Sequence, residues 1–162
     1  MSRRSLPPSE SGTASSPQIP QSARLLARRF FDKLSAHDMD GLTGLFATHA
    51  VVELLPVGIT GSFHEKGIEF FGQLIAAFPD LRVHIRSTMD SAATAVVEVT
   101  IEGTQAADFL GVLNQEKYLD LDQAWIVTAS SAGIEKLRAY WCQNQLYRRL
   151  AVRRLDMISQ VE

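Results

Sequence analysis

Two carboxylates are the side chains of this sequence best placed for acid–base chemistry. Asp120 and Asp122 are two residues apart in a segment with strand periodicity, so both project from the same face. If that face lined an apolar pocket, the two like charges would form a general acid–base pair. Their alternation with Leu119 and Leu121 favours the other interpretation, in which both lie on a solvated face.

Cys142 is the one side chain suited to nucleophilic chemistry. It is the only cysteine, so the chain forms no internal disulfide, and we expect a cytoplasmic location. A free cysteine is most often a small buried hydrophobe, whereas a nucleophile needs an activating base beside it. No histidine is an obvious partner from sequence, and no two have metal-ligand spacing, so we expect no metal and no other cofactor. The four histidines are His37, His49, His64 and His84.

The composition argues against nucleic-acid and membrane partners. The net charge is −2, which offers no basic face for nucleic acid. No apolar run approaches the roughly 20 residues of a membrane-spanning helix. Arg3 and Arg4 are followed by Ser and Pro, where a secretory signal would have its apolar stretch.

The domain organisation follows from the distribution of apolar residues. Residues 1–21 are rich in Ser and Pro and have almost nothing to bury, so we predict a disordered tail. Hydrophobic residues make up 46% of the 162-residue chain, a globular composition and a length suited to one domain. We place that domain at 22–152 and a C-terminal tail at 153–162.

Helical periodicity dominates the first eighty residues. Leu26, Phe30 and Leu34 form one apolar stripe, with Ser22 as a suitable N-cap and a helix end near residues 37–38. The pattern also predicts, in chain order, a short helix over 40–48, a strand over 50–55 and a helix over 66–78.

After residue 80 the apolar period changes to two, which indicates strands. Turn-forming residues at 89–91 and 130–133 separate consecutive strands, so we expect antiparallel hairpins. Helices followed by a meander of strands indicate an α+β domain rather than alternating βαβ units. The strands are expected over 81–86, 97–102, 119–127 and 134–142.

Three stretches, in this order, resemble the SnoaL-like polyketide cyclase family of the nuclear transport factor two-like superfamily. They are residues 78–83 at a helix-to-strand junction, residues 96–111 with a Gly-Thr-Gln turn and a Leu-Gly step, and residues 133–150 around Tyr140-Trp141. The resemblance covers about residues 22–152. It implies a cone of N-terminal helices packed on a curved antiparallel sheet, with an apolar cavity inside.

The resemblance also implies site residues, with two departures. Family members that close polyketide rings use an Asp at the end of the last strand as acid or base, and this position is Cys142 here. The histidine of the family's Gly-Thr-His turn corresponds to Gln105. A thiol in an apolar pocket is a poor base because burial disfavours the thiolate. The catalytic candidates are therefore Cys142, Gln105 and Tyr140, with Gln105 and a tyrosine hydroxyl donating hydrogen bonds to a substrate carbonyl.

Strand parity, taken with the resemblance, predicts the cavity lining. Gln105 shares the parity of the aliphatic residues before it, and Cys142 shares that of Tyr140, so both are expected to face the interior. Aromatic residues would form a wall suited to a planar or polyene molecule. The predicted binding residues are Val97, Val99, Ile101, Phe109, Tyr118, Trp125, Arg138 and Trp141.

These features lead to one function and two alternatives. The leading interpretation is a cofactor-independent cyclase or isomerase of secondary metabolism, which holds a hydrophobic polyketide- or terpenoid-like substrate in a reactive fold. A non-catalytic small-molecule-binding or dimerisation module is favoured by the missing Asp and His. An epoxide-opening hydrolase would need Asp120, Asp122 and Arg138 to face inward. By resemblance we also expect a homodimer formed through the outer sheet face.

Overall fold

The computed structural model describes residues 22–152 as helices packed on one six-stranded sheet. The predicted tails, 1–21 and 153–162, lie outside the described residues. The helices are α1 (Ala23–Ser35), α2 (Met39–Thr43), α3 (Ile68–Ala77) and α4 (Gln143–Arg149). Short helical turns span Leu55–Val57 and Phe63–Gly67. The strands are β1 (Phe46–Leu54), β2 (Ile59–Ser62), β3 (Arg82–Ser91), β4 (Thr94–Thr104), β5 (Tyr118–Ser130) and β6 (Gly133–Trp141).

The first helix is confirmed together with its cap. The side chain of Ser22 accepts a hydrogen bond from the backbone N–H of Leu25. The stripe of Leu26, Phe30 and Leu34 is buried against the sheet. Since apolar burial stabilises by about 25 cal/mol per Å², this stripe fixes α1 on the sheet.

The short helix predicted over 40–48 is present but ends earlier, because α2 ends at Thr43 and β1 begins at Phe46. Gly41 and Gly44 disfavour helix propagation. From Ala50 onward alternate residues of β1 are buried, and the strand pairs with both β2 and β6. The third helix is shorter than predicted, since its first residues form the turn at Phe63–Gly67.

The sheet has the strand order β2-β1-β6-β5-β4-β3. The antiparallel meander of β3 to β6 is confirmed. However, β1 pairs with β6 in parallel, so the sheet is mixed rather than wholly antiparallel. Local turn signals reveal hairpins between consecutive strands but not this pairing of strands distant in sequence. The α+β class is confirmed.

The helices cover the inner face of the sheet, and aromatic side chains fill the space between. Phe30 contacts Phe31, Phe71 and Trp125. Edge-to-face and tilted ring contacts of this kind pack densely and leave few voids. The polar outer face of the sheet is not covered by another element of the described residues.

Candidate functional site

The interior contains a small enclosed apolar space. Its volume is about 10 Å³, which holds one water molecule at most. The predicted cavity is therefore present as a residual space rather than as an open pocket. Every lining side chain is uncharged, and they are Leu34, Phe70, Leu74, Ile101, Phe109, Gln123, Trp125, Trp141 and Leu146.

Gln123 is a polar lining residue that the sequence analysis missed. It is 8% exposed, and its Oε1 accepts a hydrogen bond of 2.9 Å from the indole Nε1 of Trp125. Its parity on β5 matches that of Leu121 and Trp125, so the alternation pattern could have found it. A buried indole N–H requires an acceptor, and Gln123 provides it.

Leu146 is the second lining residue that the sequence analysis missed. It lies on α4 and is 2% exposed. Residue 146 lies beyond Cys142, the last residue predicted for the site, and its i, i+4 spacing from Leu150 is the signal that could have found it.

The aliphatic residues predicted to line the pocket do face the interior. Val97, Val99 and Ile101 are all buried on the inner side of β4, and Ile101 borders the enclosed space. Phe109, Trp125 and Trp141 border it as well. The structure thus brings these three aromatic side chains together around one space, which Val97 and Val99 do not border.

Gln105 lies inside, with 1% exposure, but its hydrogen bonds differ from the expectation. Its amide Nε2 donates to the backbone carbonyls of Ala107 and Val112, at 3.1 and 3.2 Å. Its Oε1 is buried without a hydrogen-bond partner. Because its amide hydrogens are engaged with the backbone, Gln105 is not the free donor that was expected, and it does not border the enclosed space.

Cys142 does not face the interior, which corrects the expectation for it. Its side chain is exposed. The parity shared by Tyr140 and Cys142 is real, but it belongs to the outer face. Leu137 and Ala139 occupy the inner positions of β6, and Trp141 follows them with the same parity.

The two tyrosines and Arg138 are likewise placed outside. Tyr118 is 53% exposed and Tyr140 is also exposed. Arg138 lies over the Tyr140 ring, 5.5 Å from its centroid. Arg138 Nε is also 2.7 Å from a carboxylate oxygen of Glu53, and Lys136 Nζ is 2.9 Å from the other. The hydrogen bond from Lys136 lowers the pKa of Glu53, and Arg138 adds to this effect.

Asp120 and Asp122 are both exposed on the outer face, as the solvated interpretation held. Oδ1 of Asp122 accepts a hydrogen bond of 2.7 Å from the hydroxyl of Thr100, which in turn accepts one of 2.9 Å from Arg86 Nε. The inward acid pair needed for an epoxide-opening hydrolase is therefore not formed by these residues.

Glu102 organises a second polar cluster on the outer face. It accepts a hydrogen bond from the hydroxyl of Tyr118 and is paired with the ring of His84. The bond from Tyr118 holds the pKa of Glu102 below its usual value, and the charge of His84 lowers it further. The same bond raises the pKa of Tyr118, because the neutral hydroxyl is the donor.

An open groove crosses the outer face above Ala124. Its volume is about 530 Å³, and it exists because alanine leaves room between the side chains of the neighbouring strands. Both signs of charge border it. The lining residues are Arg86, Glu98, Val99, Asp122, Gln123, Ala124 and Tyr140.

Two further features are absent from residues 22–152. No group of three or more His, Cys, Asp or Glu side chains has the placement of a metal site. No helix there has the length and apolarity that crossing a bilayer requires.

Solved structures with this fold come from several bacteria. A protein of Jannaschia sp. CCS1, named as a proposed SnoaL-like polyketide cyclase, superposes with a TM-score of 0.74 at 20% identity, covering 88% of this chain and 100% of its own. AclR of Streptomyces galilaeus, named as a proposed hydroxylase, gives 0.71 at 16% identity, covering 80% and 95%. IdmH of Streptomyces antibioticus, named as a proposed polyketide cyclase, gives 0.69 at 15% identity, covering 80% and 99%. At these identities the likeness shows the fold alone.

The comparison with curated proteins gives no match. A sequence profile of the SnoaL-like domain matches residues 27–130, which is more than half of the chain. That match begins inside α1 and ends with β5, so it contains seven of the nine residues that line the apolar space, all but Trp141 and Leu146. The chain belongs to the SnoaL-like domain family.

Proposed function

We propose that this protein is a cofactor-independent cyclase or isomerase that encloses a hydrophobic polyketide- or terpenoid-like substrate and promotes ring closure through shape. The observation that carries the proposal is the lining of the interior space, which is apolar, rich in aromatic rings and free of charged side chains. The names of its structural relatives support a cyclase. Its single cysteine supports a cytoplasmic location.

Catalysis by shape suits this lining. A flexible chain held with its reacting atoms close together loses an entropic barrier of several kcal/mol without any acid or base. Trp125 and Trp141 offer flat surfaces for such a chain.

The test is incubation of the full chain with linear precursors that cyclise slowly on their own. The expected result is a faster reaction or a changed stereochemical ratio, measured by chiral chromatography. Trp125→Leu should remove the effect because it changes the lining, whereas Asp122→Asn on the outer face should retain it. Unchanged rates and ratios for every precursor tested would contradict the proposal.

A non-catalytic binding module is the second candidate, and one observation favours it. None of the nine residues around the enclosed space carries an acid or base. One experiment distinguishes the two functions. If the protein is a binding module, adding the precursor should quench or shift the tryptophan fluorescence of the protein, and the precursor should cyclise at its uncatalysed rate.

We further propose that two copies pair through the outer sheet face. The groove above Ala124 is bordered by Arg86, Glu98 and Asp122, so a two-fold arrangement can place Arg86 of one copy against a carboxylate of the other. Light scattering should give twice the mass of the chain. Ala124→Glu fills the groove with a negative charge beside Glu98 and Asp122, so this variant should have the mass of one chain. Glu69→Gln on α3 should keep the mass of two chains. A wild-type protein that is monomeric at micromolar concentration would contradict the pairing.

A further inference from the structure

The enclosed space is too small for the ligand that its lining suits. Pockets for small organic molecules have volumes of roughly 300–1,000 Å³. The space observed here is about 10 Å³. A ligand can therefore enter only if at least one lining side chain leaves its place.

Most of the lining belongs to elements that hold the fold together. Trp125 is in the middle of β5, which pairs with both β4 and β6. Leu34 is on α1, which packs on the sheet, and Ile101 is inside β4. Displacing the backbone that carries these side chains would disrupt ladder pairing or helix packing.

Leu146 is different because it lies on α4, a helix of seven residues. A helix this short does not persist alone in water, so its structure depends on contacts with the rest of the chain. Its N-cap residue, Cys142, contributes no side-chain hydrogen bond. Segments of this kind open at a lower free energy than the elements of the core.

Buried leucines and hydrogen bonds from two side chains hold α4 in place. At its start, the indole Nε1 of Trp141 donates to Oε1 of Gln143 at 2.7 Å. Leu146 and Leu150 are buried, and Leu146 closes one side of the enclosed space. The amide Nε2 of Gln115 donates to the backbone carbonyls of Leu150 and Ala151, at 3.2 Å each. Gln115 lies in the same loop as Phe109, so it connects the end of α4 to a segment that also lines the space.

We propose that α4 is a lid on the apolar site, and that an apolar ring-bearing ligand binds in the space that Leu146 vacates. The inference rests on the proposed binding function of the interior. The Gln115 contacts act as the latch of this lid. Opening separates them and withdraws Leu146, while β4, β5 and β6 keep their pairing.

The test uses N-phenyl-1-naphthylamine, a neutral fluorescent probe, with the full chain. Trp125 and Trp141 are the only tryptophans and both border the space, so energy transfer from them reports binding there. Gln115→Ala should raise the association rate constant on the order of tenfold, since two hydrogen bonds no longer oppose opening. Gln73→Ala, an exposed change on α3, is the matched control and should leave this rate unchanged.

A second variant tests the displaced side chain. Leu146→Ala removes the group that the ligand must expel, so the dissociation constant of the probe should fall on the order of tenfold. Leu42→Ala removes an equally buried leucine on α2 that does not border the space, and should leave the dissociation constant unchanged.

The outcomes separate the two proposals. If the wild type binds the probe but Gln115→Ala and Leu146→Ala behave as their controls do, α4 is not the lid, and the binding function stands. If neither the wild type nor Leu146→Ala binds any apolar probe, the proposed function itself fails. Gln115 is only partly buried and does not border the enclosed space, so Gln115→Ala should fold. It therefore keeps the test valid even if Leu146→Ala does not fold.

Discussion

Trp141 and Cys142 are adjacent in sequence, yet their side chains lie on opposite sides of the sheet. The indole borders the enclosed apolar space, and the thiol is exposed. Since successive side chains at a strand end alternate between faces, a single step in sequence decides which of the two can touch a substrate. The interior position at the end of β6 therefore belongs to an aromatic ring, not to a nucleophile.

Cys142→Ser should leave probe binding and any cyclisation rate unchanged, because the thiol is outside the site. In the folded wild type the thiol should react with Ellman's reagent at about the rate of a small free thiol. Absorbance at equal thiol concentration measures the Ellman reaction rate of the protein and of the small thiol. Loss of cyclisation in the serine variant, or a thiol that reacts only after unfolding, would contradict this placement.

Strands β4 and β6 differ in how well the sequence alone identifies their inner face. The alternation of Val97, Val99 and Ile101 identifies the inner face of β4 without ambiguity, because the intervening residues are polar. On β6 the alternating residues after Leu137 include Arg138, Tyr140 and Trp141, each partly apolar, so hydropathy does not distinguish the faces. Register with β5 settles the question, since Ala139 opposes Trp125.

Other parts of the site depend on contacts distant in sequence. The parallel pairing of β1 with β6 joins residues more than eighty positions apart, and no local turn encodes it. The packing of Leu146 under α4 depends in the same way on the loop that contains Gln115. Periodicity describes single elements, so it predicted the α+β class. It did not predict the pairing of β1 with β6 or the packing of α4.

Gln123→Leu should destabilise the fold by about 1–3 kcal/mol, because it leaves the buried indole N–H of Trp125 without an acceptor. Urea unfolding followed by circular dichroism measures the free energy of unfolding. In a Trp125→Phe background, which has no N–H to satisfy, the same substitution should cost less. Equal costs in the two backgrounds would show that the hydrogen bond contributes nothing.

Glu102 should make the stability dependent on pH in the acid range. Its pKa is lowered from the usual 4.5 by the hydrogen bond from Tyr118 and by His84. A lowered pKa in the folded state gives a contribution that is present above the unfolded-state value and is lost as the pH falls through the folded-state value. Glu102→Gln removes that contribution, so its urea midpoint should fall less than that of the wild type between about pH 6 and pH 3.

The matched control for this titration is Glu69→Gln on the exposed side of α3. Its midpoint should follow the wild type across the whole range. If Glu102→Gln does the same, the contacts of Glu102 with Tyr118 and His84 do not stabilise the folded state.

Gln105→Glu should destabilise the protein at neutral pH by about 2 kcal/mol or more, since a buried carboxylate would replace a donor that faces two carbonyl oxygens. Calorimetry of thermal unfolding measures this change in the free energy of unfolding. Gln73→Glu places the same charge on the exposed side of α3 and should have almost no effect. A small loss for Gln105→Glu would mean that the amide does not hold the loop before Phe109.

Gly133 is required where the β5–β6 hairpin approaches the start of β1. Its φ is +119°, a backbone conformation that residues with a side chain rarely adopt, and an added Cβ would lie 2.5 Å from the carbonyl oxygen of Leu45. That oxygen also accepts a hydrogen bond from the backbone N–H of Ile134, so it cannot move away without breaking this hydrogen bond. Gly133→Ala should therefore lower the free energy of unfolding by about 2 kcal/mol or more.

Gly72→Ala provides a control of opposite sign. Gly72 is inside α3, and an added Cβ there meets no atom within 4 Å. Alanine should stabilise this helix by roughly 0.5–1 kcal/mol, because glycine loses more backbone entropy on folding. Gly133 and Trp141 are at opposite ends of β6, so neither alanine variant should change probe binding. Two alanine variants with equal stability would refute this account of the hairpin.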